Sequence, residues 1–220
     1  MQSIADTKSV IYSEITATAE EVTASFMARY AGEAEQFAEL MAQATLAWQD
    51  LGSDFERHEN IVFVANIVYC AITLHVQSMK LFLSGHIVAA GNLSRQVTEA
   101  IATALLSSGK TLKVLDRFID DRYSTKNAVR DVLRHWETLG LRKVALTALA
   151  EAEDFYHLYS HLSKMTVASA TCFSQQALYV GASFDEGKID AYDREVQSRL
   201  GLAKVFPNFV AAVAANVAKW

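Results

Sequence analysis

A single proline, Pro207, and nine glycines are all that punctuate 220 residues. An all-β chain of this length needs many tight turns, and turns draw on those two residue types. Alanine and leucine recur instead at three- and four-residue spacing, which lines up one face of a helix. The spacing predicts an all-α fold, a single-domain bundle of about seven or eight helices over 1–220. Two helices, about 8–30 and 33–50, are expected to form an N-terminal hairpin over 1–53, broken at "YAGE". Core helices are expected over 54–168, ending at Ser84-Gly85, at "SSGK" and at Leu139-Gly140. A loop over 169–188 then leads into a C-terminal helix, 189–220. Pro207 kinks or splits that helix, because its ring nitrogen has no hydrogen to donate.

With 51% hydrophobic residues and 20% charged, the chain has the mixture of a folded domain. Its net charge of −5 argues against DNA as a partner, which calls for a basic surface. "IVFVANIVYCAITLHVQSMKLFL" is long enough to span a bilayer, but Asn66, Thr73, His75, Gln77 and Lys80 interrupt it. It reads as a buried helix, with no membrane partner. Cys70 and Cys172 lie in apolar surroundings without a CxxC motif, and read as small buried thiols in a reducing cytoplasm. The first twenty residues lack a basic stretch followed by an apolar core, so no secretory signal is expected and the localisation reads as cytoplasmic.

Across 81–108 the only full charges are Arg95 and Glu99, one helical turn apart on a helix that is apolar on nearly every side. Such a pair has two readings. It can be an ion pair that fixes how helices dock. It can also be an arginine facing a pocket, oriented by the glutamate and holding a small anion.

The segment "SGHIVAAGNLSRQVTEAIATALL" resembles a pattern in all-α proteins related to the HEPN superfamily. There a helix bearing Arg, three residues, then Glu precedes a helix bearing Tyr, three residues, Ser, then His four residues on. Arg95 and Glu99 match the first motif, and Tyr156 and Ser160 match the second; Lys164 stands at the His position. "LYVGASFDEGKIDAYDRE" is similar to that group's glycine-aspartate loop, and the resemblance covers about 65–220. It implies an antiparallel HEPN-like core and a ligand site of Arg95, Glu99, Tyr156, Ser160 and Lys164. HEPN ribonucleases use Arg, four to six residues, then His. No histidine follows Arg95 at that distance, so RNA is a weakly supported partner and RNA cleavage the least favoured activity.

In "EDFYHLYSHLSKM", His157 and His161 are one turn apart, with Glu153 one turn before them. This spacing can set two imidazoles on one divalent transition metal, with Glu153 as a further ligand and a third helix completing the site from His58, His75 or Glu99. A metal-dependent hydrolase is therefore the alternative activity. The plain reading is a solvated helix face without a cofactor. His75 and His86, on apolar helices, read as core histidines. "DRFIDDRYSTKNAVRDVLRHW" interleaves basic residues with Tyr123 and Trp136, but Asp116, Asp120, Asp121 and Asp131 make it an ordinary salt-bridged surface. The expectation is a cytoplasmic, non-catalytic binding or regulatory module, self-associating through apolar helix faces, with a small anion or a protein as ligand.

Overall fold

A computed structural model describes residues 18–55, 59–163 and 184–220, with Ile4, Lys8, Ser9, Tyr12, Thr16 and Ala182 besides; side chains at 50–55, 126 and 158–163 are outside the description. Seven α-helices make up the described residues, and none of these residues is in a strand: α1 (Glu20–Phe55), α2 (Glu59–Leu83), α3 (Ile87–Ser108), α4 (Val114–Ile119), α5 (Ala128–His135), α6 (Lys143–Ser163) and α7 (Ile189–Val217). Short 3-10 turns at Lys110–Leu112, Thr125–Asn127 and Glu186–Lys188 link them.

α3 is the central element, touching α2, α4, α5, α6 and α7. Its last eight residues, from Ile101 to Ser108, are all buried. α7 closes the bundle against α1, α2, α3 and α6. The alanine-rich end of α7 is core, with Phe209, Val210, Ala212, Val213 and Val217 buried.

Gly85 ends α2 as expected; α5 stops earlier than expected, at His135, and Gly140 closes the turn that follows it. Both hold positive φ, 81° and 68°, where a side chain would be strained. In each case two amides fold back on the last turn: Gly85 N–H on Phe82 and His86 N–H on Leu81, then Gly140 N–H on Glu137 and Leu141 N–H on Trp136. The expected break at "YAGE" is present as a kink between two helical stretches rather than as a hairpin turn. α1 runs on through Ala31 and Gly32, with one departure from helical geometry at Tyr30 (φ −115°, ψ 18°), so no hairpin turn interrupts it there. The kink falls where Tyr30 is anchored. Its ring is buried beside Phe26 and Phe82, and its hydroxyl donates to Asp193 of α7 at 2.8 Å. Arg29 adds an ion pair to the same carboxylate at 3.2 Å. α7 likewise stays helical through Pro207 rather than splitting.

α2 and α7 are long and apolar enough to cross a bilayer by length and composition. Both pack into the bundle, and both carry polar residues at its centre: His75 and Ser78 on α2, Glu195 and Arg199 on α7. The expected burial of Cys70 is corrected too: its thiol is on the exposed side of α2. Cys172 lies outside the described residues.

Candidate functional site

Arg95 and Glu99 bond across one turn of α3, with side chains 21% and 25% exposed. The helix places them at the edge of its contact with α6. Between them, Thr98 is fully buried; its hydroxyl proton is shared between the Arg95 carbonyl (2.8 Å) and the Glu153 carboxylate of α6 (3.0 Å). Burial holds the Glu99 carboxyl above its ordinary pKa; Arg95 opposes that shift and Glu153 adds to it. Arg95 Nε is buried and has no acceptor among the described residues. The local group is one guanidinium beside two carboxylates.

Tyr156 belongs to a different place. Ala145, Leu149, Ala152 and Tyr156 form the core face of α6, and Tyr156 is fully buried. The Arg199 guanidinium lies 5.7 Å from its ring centroid. Burial pushes the Tyr156 hydroxyl up in pKa. The side chains of Ser160, His161 and Lys164 lie outside the described residues, so the structure brings together only part of the expected set. His157 is exposed, one turn beyond Glu153. Among the described residues, no three His, Cys, Asp or Glu side chains are grouped to hold a metal. His75, a candidate third ligand, is fully buried, and its Nε2–H donates to the Arg199 carbonyl at 3.1 Å. Desolvation lowers its pKa to about 3, so the ring is neutral. His58 is outside the description.

The basic stretch after α3 is salt-bridged. Arg122 pairs with Asp120, Arg134 with Asp131 (3.5 Å), and the Tyr123 hydroxyl donates to Asp131 at 2.9 Å.

Sequence reasoning passed over the most buried charges in the bundle. Arg199 is fully buried and Glu195 nearly so, and they pair across one turn of α7. Arg199 Nη1 also donates to the Glu195 carbonyl at 3.0 Å, and Nε to Ser78 of α2 at 3.2 Å. Ser78 in turn bonds Ser94 of α3 at 2.9 Å. Phe82 stacks 4.9 Å from the guanidinium carbon, a cation–π contact in a buried setting. Four helices thus meet at one sealed polar node. Such a node gives no access to a ligand, and its chemistry is that of a lock. The signal was present: Tyr192, Val196, Arg199, Ala203 and Phe206 fall at spacings of four, three, four and three, so Arg199 occupies a core position.

Of the open ground, α2 offers the most. Glu59, Val62, Asn66, Tyr69, Thr73, Val76 and Lys80 are all exposed and follow the same alternation of three and four. Val62, Tyr69 and Val76 are 41%, 49% and 43% exposed, although α2 is the most apolar helix of the bundle. Trp48 of α1 packs on Tyr69 at 4.8 Å, held by its indole bond to the Ala65 carbonyl (3.0 Å). Compared with known proteins, the sequence matches no family model, no curated protein and no solved structure.

Proposed function

We propose that the chain is a cytoplasmic, non-catalytic binding module of HEPN-like type that pairs with a second copy of itself through α2. The observation that carries this is the exposed stripe on that helix. It reads nearly the same in both directions: acid, apolar, polar, aromatic, polar, apolar, base. Two copies set antiparallel, with a two-fold axis between Tyr69 and Cys70, bring Val62 against Val76 of the second copy. Asn66 then faces Thr73 of the second copy, amide to hydroxyl, and Glu59 meets its Lys80. Opposite charges at the two ends fix the direction, and the valines and tyrosines between them supply the apolar area to be buried.

The test is sedimentation of the full chain beside Val62→Glu and Val76→Glu variants. Wild type is expected to sediment as a dimer and both variants as monomers. In a Cys172→Ser background, a short bismaleimide is expected to join two Cys70 thiols, because both lie at the axis. A monomeric wild type, or a dimer indifferent to both substitutions, removes the proposal. Binding of wild type to lipid vesicles, lost in the same variants, would replace it with a membrane partner.

What supports the HEPN-like part is that the helix of Arg95 and Glu99 packs directly on the helix of Tyr156. A second binding element rests on Arg95 Nε, a buried donor without an acceptor among the described residues. A small anion would satisfy it, although Glu99 and Glu153 stand close by. Arg95→Ala then weakens anion binding more than it lowers stability; equal loss of both makes the pair structural. The hydrolase alternative stands on metal content. A near-stoichiometric transition metal, lost in His157→Ala, would displace the non-catalytic reading.

A further inference from the structure

We infer an interaction surface, across α5 and the start of α6, for an acidic and partly apolar peptide segment of another protein. Charge is unevenly divided along the chain. Residues 110–144 hold nine Lys and Arg against five Asp and Glu, and the rest of the chain holds eleven against twenty. Part of that basic stretch is answered locally, by Asp120 on Arg122 and by Asp131 on Arg134. Three bases are not. Arg130, Arg142 and Lys143 are exposed, and their side chains make no hydrogen bond or ion pair among the described residues.

The fold puts these three on neighbouring ground. Arg130, Leu133 and Arg134 share one face of α5, at helical spacing. A tight turn, closed by the Leu141 N–H on the Trp136 carbonyl, then brings the start of α6 back beside α5. α6 opens on Arg142 and Lys143 with no acid in its first turn. Both bases therefore stand at the positive end of its dipole, where they lower stability. Two large aliphatic side chains reach water among them: Leu133, 38% exposed, and Val144, 60% exposed. Bases interleaved with aliphatics match a segment that interleaves carboxylates with aliphatics. Spread over two helices rather than gathered in a cavity, they suit an extended partner. Nucleic acid fits less well, because the local rings of Tyr123 and Trp136 pack on the core and do not stand free to stack bases. A flat anionic membrane fits less well too, because the exposed Glu137 just beyond α5 would press on its headgroups. This surface does not rest on the pairing of α2.

The experiment follows the fluorescence anisotropy of a fluorescein-labelled peptide of glutamate and leucine, titrated with the full chain. Half-saturation is expected on the order of 10 μM at low salt. About 0.3 M sodium chloride is expected to weaken it about tenfold. Arg130→Glu with Lys143→Glu is expected to abolish binding. It leaves the Tm unchanged or higher, because neither side chain has a partner to lose and the new acid suits the helix start. Leu133→Ser with Val144→Ser is expected to weaken binding by about fivefold or more. Val62→Glu, on the α2 stripe, is expected to bind the peptide as wild type does, whether or not the chain pairs there. Equal binding of a peptide of glutamate and serine reduces the effect to general charge attraction and overturns the proposal. So does binding that survives the double charge reversal, or none up to about 1 mM. Tighter binding of single-stranded RNA, or of vesicles containing phosphatidylserine, lost in the same double variant, also overturns it and puts that partner in place of the peptide.

Discussion

Two arginine–glutamate pairs, each spanning one helical turn, have opposite fates in this bundle. Arg95–Glu99 lies at the rim of α3, about a quarter exposed. Glu195–Arg199 lies at the centre of α7, with its guanidinium out of water altogether. Chemistry and spacing are the same. What differs is the phase of the helix: Arg199 falls on the apolar stripe and Arg95 beside it. A rim pair is solvated and adjustable. A central pair must find its partners inside the protein, and here Ser78, Phe82 and Tyr156 supply contacts from two other helices.

The largest effect is expected from breaking the central pair. Arg199→Ala leaves Glu195 buried without its cation and should cost about 3–5 kcal/mol, read as a lower urea midpoint or failure to fold. Substituting both, Arg199→Met with Glu195→Leu, should restore much of that loss. If Arg199→Ala cost less than Arg95→Ala, burial would not be what separates the pairs.

Next comes acidity. His75, bonded to the Arg199 carbonyl, is neutral when folded, with a pKa of about 3, whereas an unfolded histidine takes a proton near 6.5. The unfolded state therefore binds the extra proton first. This contribution is whole above pH 6.5 and is lost as pH falls from there towards 3, by about 1.4 kcal/mol per unit. His75→Gln should flatten that slope by one proton's worth in urea titrations between pH 6.5 and 4. An unchanged slope would place the titration elsewhere.

Smaller effects test the rim. Arg95→Ala should cost about 0.5–1 kcal/mol, since the pair is partly screened by solvent. The exchange of Arg95→Glu with Glu99→Arg puts the acid first, as it stands in α7, and should gain a few tenths of a kcal/mol in thermal unfolding. A loss above about 1 kcal/mol would show that Thr98 and Glu153 read the polarity of the pair.

The all-α fold was legible because the chain has so few residues that stop a helix. The helix end at Gly85 and the turn at Gly140 were legible because each needs a left-handed backbone. Gly32 misled: it keeps helical geometry, and an added Cβ there meets nothing within 4 Å, so its glycine is not required by the turn it suggested. The Arg95–Glu99 pair could be picked out because both charges stand alone on an apolar helix. Arg199 was hidden by the ordinary assumption that an arginine faces water, although its place in the stripe was plain. Cys70 was placed wrongly because α2 is apolar on most sides, and periodicity alone does not say which side its neighbours cover.

The bonds of Arg199 reach back 121 residues to Ser78, and those of Tyr30 reach forward 163 to Asp193. During synthesis α7 leaves the ribosome after every helix it locks. Until it arrives, His75 and Ser78 lack the Arg199 partners that they have in the folded bundle. Closure is therefore a late, long-range event, and contacts at such separation slow folding. A pulse-labelled chain stopped before Ile189 should remain protease-sensitive in α2, and completing α7 should protect it in a single step.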